Sequence, residues 1–169
     1  MGCSSGTNEW QCVDEALANT GDYLYSTGNN KETFTFSDLS GVLTVKSIML
    51  NYYASRYSSS DACFEAMIRS NGIDYSSGVQ KCLGSSWATV YQSYTTNPAT
   101  GSAWTIAEVN ALEAGMKGLD PNGGGKVSQV KAVVSYIPSA CADGIDNDNE
   151  GLIDYPSDPG CSNIDDNSE

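Results

Sequence analysis

Residues 42–53, with the sequence VLTVKSIMLNYY, form the strongest strand candidate in this 169-residue chain. β-Branched and aromatic side chains dominate the stretch, and both kinds fit the pleated surface of a sheet. Several shorter runs on either side show the alternation of apolar and polar residues expected of half-buried strands. The other strand candidates are 23–25, 33–36, 63–69, 73–75, 88–95 and 127–136. Seven or eight strands at this spacing predict an all-β jelly-roll or β-sandwich of about eight antiparallel strands.

Two local signals lie between these strands. Asn71 and Gly72 follow Ser70 in the pattern of a tight hairpin turn. Thr105 and Glu108 have the spacing of a helix capping box, and Gly115 is placed to end a helix of about ten residues. A helix this short is not stable alone, so we expect it to pack on the sheets. Its apolar positions are Ile106, Val109 and Leu112.

The strand pattern and the distribution of charge predict three segments: an N-terminal extension (1–9), the sandwich (10–137) and an acidic tail (138–169). The net charge is −13, and the last 29 residues hold nine acidic residues but no Lys or Arg. Such an acidic chain is a poor partner for nucleic acid or for an anionic membrane. No apolar run has the length of a membrane span. We therefore expect that the chain does not bind nucleic acid and has no membrane-spanning segment.

The six cysteines predict disulfides and an extracellular or cell-surface location. None forms a C-x-x-C pair and the chain has no His, which argues against zinc and redox motifs. Six cysteines allow fifteen connectivities. Proximity in the sequence favours Cys141–Cys161, Cys63–Cys82 and Cys3–Cys12. Residues 1–6 lack the hydrophobic part of a secretory signal, so we expect a mature or trimmed start, with a lipidated Cys3 as the alternative.

The acidic tail contains a candidate calcium loop. Asp146, Asp148 and Glu150 alternate before Gly151, as in an oxygen-rich loop that turns sharply at its sixth position. Calcium suits this set because it accepts six to eight hard oxygen ligands in loose geometry. An unstructured solubilising tail is the alternative. The remaining candidate ligands are the Leu152 carbonyl, Asp154, Asp143 and Asp158.

Two stretches resemble known families. The run NPATGSAWTIAEVNALEAGMK (97–117), preceded by YLYS and followed by VSQVKAVVSY, resembles a jelly-roll module of phage-tail proteins and secreted bacterial surface proteins. That resemblance covers roughly 10–137 and implies a structural or binding role. Cys63 and Cys82 are additions to the phage pattern and point towards the secreted branch. The segment from Cys141 to Cys161 resembles the calcium-binding tails of secreted bacterial proteins and the acidic repeats of thrombospondin type.

Catalysis is not expected, because the chain has no His, no G-x-S-x-G sequence and no P-loop. Carboxylate pairs such as Asp61 with Glu65 or Asp74 are read as solvated surface groups. The main functional hypothesis is a calcium-binding subunit of a cell-surface filament or pilus-like appendage, in which copies of the chain associate. The alternatives are a secreted carbohydrate-binding or adhesion module and a phage-tail-like virion protein. For glycan stacking the candidate is Trp87, expected in an exposed loop, whereas Trp104 and Trp10 are expected in the core.

Overall fold

The computed structural model describes residues 2–4, 8–14, 16–26, 28–57, 62–119 and 125–169. Within them the predicted all-β sandwich is confirmed, since nine strands form two antiparallel sheets. The strands are β1 (Gly2–Cys3), β2 (Leu24–Tyr25), β3 (Lys31–Thr35), β4 (Val42–Arg56), β5 (Ala62–Ser70), β6 (Ile73–Leu83), β7 (Ala88–Tyr94), β8 (Glu113–Gly118) and β9 (Gly125–Pro138). One α-helix, α1 (Ile106–Asn110), and two 3₁₀ turns (Glu9–Cys12 and Ala140–Ala142) accompany them. No helix among the described residues is long and apolar enough to cross a membrane.

The pairing of β4 with β9 sets the long axis of the molecule. The five-stranded sheet has the order β1-β2-β9-β4-β7, and the four-stranded sheet has the order β3-β8-β5-β6. Val42 pairs with Pro138 at one end of the β4–β9 ladder, and Arg56 pairs with Gly125 at the other. The acidic tail therefore leaves the sandwich at the end where β4 begins.

The core lies between the two sheets and follows the strand period. Ile48, Leu50 and Tyr52 alternate along β4 and are fully buried. The Tyr52 ring packs edge-on against Phe64 of the four-stranded sheet, with 5.0 Å between ring centroids. Its hydroxyl donates a hydrogen bond of 2.6 Å to the carbonyl of Gly115. Because successive side chains of a strand point to opposite faces, the residues between these three lie on the outer face.

The predicted hairpin is confirmed, whereas the predicted helix is too long. Asn71 (φ 52°) and Gly72 (φ 76°) both take left-handed backbone, as a two-residue hairpin turn requires. The helix starts at the predicted cap but ends at Asn110, and Gly115 lies inside strand β8. A Cβ at Gly115 would collide with the carbonyl of Glu32 on β3. This glycine therefore allows two strands to approach closely and does not end a helix.

One of the two tryptophans expected in the core is buried there. Trp104 is 4% exposed, and its indole N–H donates to the carbonyl of Tyr94 at 3.2 Å. Trp10 is 53% exposed, so its core assignment is wrong. It belongs to the segment whose Val13 carbonyl accepts a hydrogen bond from Val130 of β9. That segment lies along the side of the sandwich, where the indole reaches solvent.

Three disulfides join the pairs that sequence proximity favours: Cys3–Cys12, Cys63–Cys82 and Cys141–Cys161. The acidic tail is attached to the sandwich by hydrogen bonds as well as by the chain. The backbone N–H of Gly41 donates to the carboxylate of Asp165 at 2.6 Å, and the Ser139 hydroxyl donates to the Ile164 carbonyl at 2.6 Å. These bonds fix both ends of the tail beside the start of β4.

Candidate functional site

Three of the predicted calcium ligands converge in the acidic tail. Asp148, Glu150 and Asp158 each contribute one carboxylate oxygen, and these three oxygens lie within 4.8 Å of one another. Asp158 is only 2% exposed. Its Oδ1 accepts from the Gly160 N–H at 2.6 Å, but its buried Oδ2 has no hydrogen-bond partner among the described residues. A buried acceptor without a donor is costly, and a bound cation would remove that cost.

Asp146 lies near Asp148. Its Oδ2 accepts from the Gly151 N–H at 3.0 Å, while its Oδ1 is buried without a partner among the described residues. Asp146, Asp148 and Glu169 form a second group whose oxygens lie within 4.8 Å of one another. Sequence reasoning missed Glu169, because the loop pattern ends before Cys161 and gives no signal for a ligand from the last residue. Only the fold of the tail brings Glu169 back to the loop.

The other predicted ligands have local hydrogen-bonding roles. The Asp154 carboxylate accepts from the Gly144 N–H at 2.9 and 3.2 Å. The Asp143 carboxylate accepts from the Ile145 N–H at 2.9 Å. Leu152, whose carbonyl was the predicted ligand, lies on the same loop, and the residue is 43% exposed. The Asp154 and Asp143 carboxylates therefore shape the backbone of the loop and lie outside both carboxylate groups.

Electrostatics in the first group favour a cation. Burial, followed by the negative charges of Asp148 and Asp158, raises the pKa of Glu150 above its ordinary value. A raised carboxyl pKa means that the ionised form is disfavoured in its surroundings. A hard divalent ion supplies the missing positive charge and accepts carboxylate oxygens in flexible geometry. The residues present fit calcium.

The second candidate is the outer face of the five-stranded sheet, named here the aromatic face: the outward residues of β4, β7 and β9 together with Trp87. Three cross-strand rows run over it, each with one residue from each strand. Neighbours in such a row are about 5 Å apart at Cβ, so a ligand lying on the face contacts several at once. The rows are Gln129–Tyr53–Thr89, Lys131–Asn51–Tyr91 and Val133–Met49–Ser93.

An aromatic cluster closes one end of this face. Trp87 stacks on Tyr53 with 5.5 Å between centroids and 15° between planes. The Lys126 ammonium lies 4.8 Å from the centre of the Trp87 ring and 5.1 Å from that of Tyr23. Trp87 lies in the loop before β7, as predicted, but its ring is half-buried by these neighbours. Tyr25 and Tyr57 extend the cluster as a stacked pair at 4.7 Å.

The carboxylate pairs considered from the sequence include two residues that the structure describes, Asp74 and Glu65. Asp74 is ion-paired with Lys31 at 2.8 Å and with Arg69 at 2.7 Å, and these bonds lower its pKa to about 2. Glu65 accepts a hydrogen bond from the Ser76 hydroxyl. Asp61, the third member of the pairs considered from sequence, lies outside the described residues. Asp74 and Glu65 are thus engaged in local contacts.

A groove borders the four-stranded sheet beside the exposed Trp10. Its volume is about 450 Å³, and an adjacent depression of about 320 Å³ shares Trp10 and Phe34. Three carboxylates, from Glu9, Glu32 and Glu113, line the larger part, and no Lys or Arg is among its lining residues. Burial and the charge of Glu9 raise the pKa of Glu32. This groove is therefore acidic, in contrast to the aromatic face.

Comparisons with known proteins give only distant structural neighbours. No protein-family model and no curated protein matches the chain. The CBM22-1 xylan-binding domain from Paenibacillus barcinonensis Xyn10C is 12% identical with a TM-score of 0.45, over 74% of this chain and 79% of that one. A CBM4 structure is 15% identical with a TM-score of 0.35, over 70% and 77%. A family 16 carbohydrate-binding module is 13% identical with a TM-score of 0.35, over 78% and 92%. The chain is similar to these β-sandwich proteins in fold alone.

Proposed function

We propose that this chain is an extracellular, non-enzymatic module that binds carbohydrate on the aromatic face. The observation that carries the proposal is the row of Lys131, Asn51 and Tyr91, which places an aromatic ring beside amide and ammonium groups on one open sheet face. Tyr91 is 61% exposed. Three disulfides agree with a protein outside the cytosol.

The chemistry of a sugar matches this combination. A pyranose ring has apolar C–H faces, which pack on aromatic rings, and a rim of hydroxyl groups that both donate and accept hydrogen bonds. Tyr91 offers the exposed ring, while the amide of Asn51 offers donors and acceptors. Binding sites usually combine apolar contact area with a few placed polar groups. A flat sheet face of this kind suits a polymer that lies across several strands.

Titration calorimetry with soluble xylan, β-glucan, polygalacturonate and methyl-esterified polygalacturonate tests the proposal. Tyr91→Ala is the main variant, because its exposed ring can be removed without opening the core. We expect it to weaken binding about tenfold, as the loss of an aromatic contact at a binding site typically does. Trp87→Ala tests the cluster, and a thermal melt reports whether it also loses stability.

Trp10→Ala is the matched control, because Trp10 is an exposed tryptophan outside the aromatic face. It should bind like the unmodified chain. Loss of binding in Trp10→Ala with retention in Tyr91→Ala would assign the sugar to the acidic groove instead. No binding to any of the four polymers would count against carbohydrate recognition.

We further propose that calcium binds in the tail through Asp148, Glu150 and Asp158, with Asp146 and Glu169 beside them. The buried Oδ2 of Asp158, which has no partner among the described residues, is the observation that supports it. The ion would neutralise carboxylates that otherwise repel one another and would stabilise the tail against the sandwich. Extracellular calcium modules bind with dissociation constants of about 10⁻⁴ to 10⁻³ M.

Calorimetric titration of the calcium-free protein with calcium checks this site, and thermal unfolding gives a second readout. Asp158→Asn should abolish binding, whereas Asp14→Asn, outside the tail, should leave it unchanged. A melting temperature that does not change with calcium would contradict the site. Association of copies into a filament stays a prediction, and electron microscopy of the calcium-loaded protein would test it.

A further inference from the structure

We propose that the polymer bound on the aromatic face is an acidic polysaccharide whose sugars carry carboxylate groups. This inference rests on the proposed carbohydrate function and adds the charge of the ligand. It comes from the distribution of charge over the two sheets, which is uneven in a chain of net charge −13.

The strands of the five-stranded sheet contain no acidic residue. β2, β4, β7 and β9 together hold four of the eight basic residues of the chain and no Asp or Glu. Such a separation in a strongly acidic protein creates a local positive potential on one face. The four basic residues are Lys46, Arg56, Lys126 and Lys131.

Two of these lysines lie on the aromatic face without an acidic partner. Lys131 shares a row with Tyr91, and its ammonium donates to the Ala16 carbonyl at 3.0 Å. Lys126 lies over the rings of Trp87 and Tyr23. Among the described residues no carboxylate pairs with either lysine. Each ammonium keeps donors for a ligand, and the two are separated by roughly 15 Å of strand.

Charges elsewhere on the sandwich direct an anionic polymer to this face. On the four-stranded sheet, Lys31 and Arg69 both pair with Asp74, and Arg69 also contacts Glu113 at 3.4 Å. The groove beside Trp10 is lined by three carboxylates. The tail has nine acidic residues. A polyanion is therefore repelled by the groove and the tail and attracted by the aromatic face.

The test compares polygalacturonate with its methyl-esterified form, since the two differ in charge at the carboxyl group. We expect the acid form to bind about tenfold more tightly at low salt, and added sodium chloride should remove this preference. Lys126→Gln and Lys131→Gln should each weaken binding of the acid form about three- to fivefold and weaken binding of the ester less, because the ester lacks the charge that the ammonium attracts. Lys117→Gln, on the four-stranded sheet, removes the same charge and should have no effect.

Four outcomes overturn the inference. Equal affinity for acid and ester would leave carbohydrate binding intact but remove the charge preference, whereas no binding to either form would also remove the proposed function. Binding to single-stranded DNA as tight as to polygalacturonate would mean unspecific attraction of polyanions. The preference for the acid form could also be lost in Asp158→Asn but kept in the double variant with Lys126→Gln and Lys131→Gln. That result would mean that calcium in the tail bridges to the polymer.

Discussion

Gly115 is the position in the four-stranded sheet where the absence of a side chain matters most. A Cβ there would collide with the Glu32 carbonyl oxygen and lie 2.8 Å from its carbonyl carbon. Neither atom belongs to a flexible side chain, so the strands themselves would have to separate. We expect Gly115→Ala to lower the free energy of unfolding by about 3 kcal/mol, the upper end of the cost of overpacking. Urea unfolding measures this loss.

Gly84→Ala is the control for that substitution. A Cβ at Gly84 would meet no atom within 4 Å, so the variant should keep the stability of the unmodified chain within about 0.5 kcal/mol. If Gly115→Ala were equally well tolerated, the close approach of β3 and β8 would be wrong.

The ion pairs of Asp74 predict how stability depends on pH. Hydrogen bonds from Arg69 and Lys31 lower its pKa from 3.8 to about 2. Because the folded pKa is lowered, the stabilisation is present above pH of about 4 and is lost as the pH falls towards about 2. Asp74→Asn should therefore cost about 1 kcal/mol at neutral pH, and the difference should shrink as the pH falls through about 2 and vanish below it. Chemical unfolding across this range checks it, with Asp14→Asn as the control; a constant difference at all pH values would contradict it.

Individual site residues could be predicted only in part from the sequence. Alternating acids before a glycine indicated Asp148 and Glu150, and the structure brings these two carboxylates together. Asp154 fitted the same spacing, yet its carboxylate binds the Gly144 N–H. Spacing fixes distance along the chain but not the direction in which a side chain points. The contribution of Glu169 depends on tertiary folding and has no local signal.

At the level of elements, the tail is closed by a disulfide around its carboxylates. Cys141 and Cys161 are buried, and the loop between them holds Asp148, Glu150 and Asp158. Replacing both cysteines with Ser should weaken calcium binding about tenfold or more. Without the disulfide, calcium would have to order an open loop, and closing a loop of this length costs roughly 3 kcal/mol in conformational entropy. Calorimetric titration of the double variant with calcium measures the change.

The second disulfide provides the comparison for that experiment. Cys63 and Cys82 join the paired strands β5 and β6, away from the tail. Their double Ser variant should lower the stability of the sandwich and keep the calcium affinity. Calcium affinity that falls equally in both variants would show a general loss of folding instead of a local effect on the tail.

Strands were easier to predict than the helix for a physical reason. Period-two alternation and the Asn71-Gly72 turn are local signals, and both survive in the folded chain. The capping box at Thr105 also forms, with its hydroxyl accepting from the Glu108 N–H at 3.2 Å. The apolar spacing that follows it suits a helix or a buried strand alike, and pairing of β8 with β3 and β5 decides for the strand.

For the whole molecule, the net charge of −13 predicts that salt stabilises the calcium-free protein. Nine of its acidic residues lie in the tail, where their repulsion is screened by added ions. Moderate sodium chloride should raise the melting temperature of the calcium-free protein by a few degrees. A change of about 1 kcal/mol in the free energy of unfolding has this effect in a chain of this size. The calcium-loaded protein should respond less. An equal response in both states would contradict a bound ion among these carboxylates.

Neither the separation of charge between the two sheets nor the aromatic cluster could be seen in the sequence, since residues from four distant segments build them. The ladder of β4 and β9 has a further consequence. Its 14-residue strand β9 spans roughly 45 Å, with the acidic tail at one end and Lys126 beside Trp87 at the other. Much of the negative charge therefore lies at the tail end of this ladder. A negatively charged surface would repel the tail end more strongly than the lysine end, so electrostatic forces would turn the lysine end towards it.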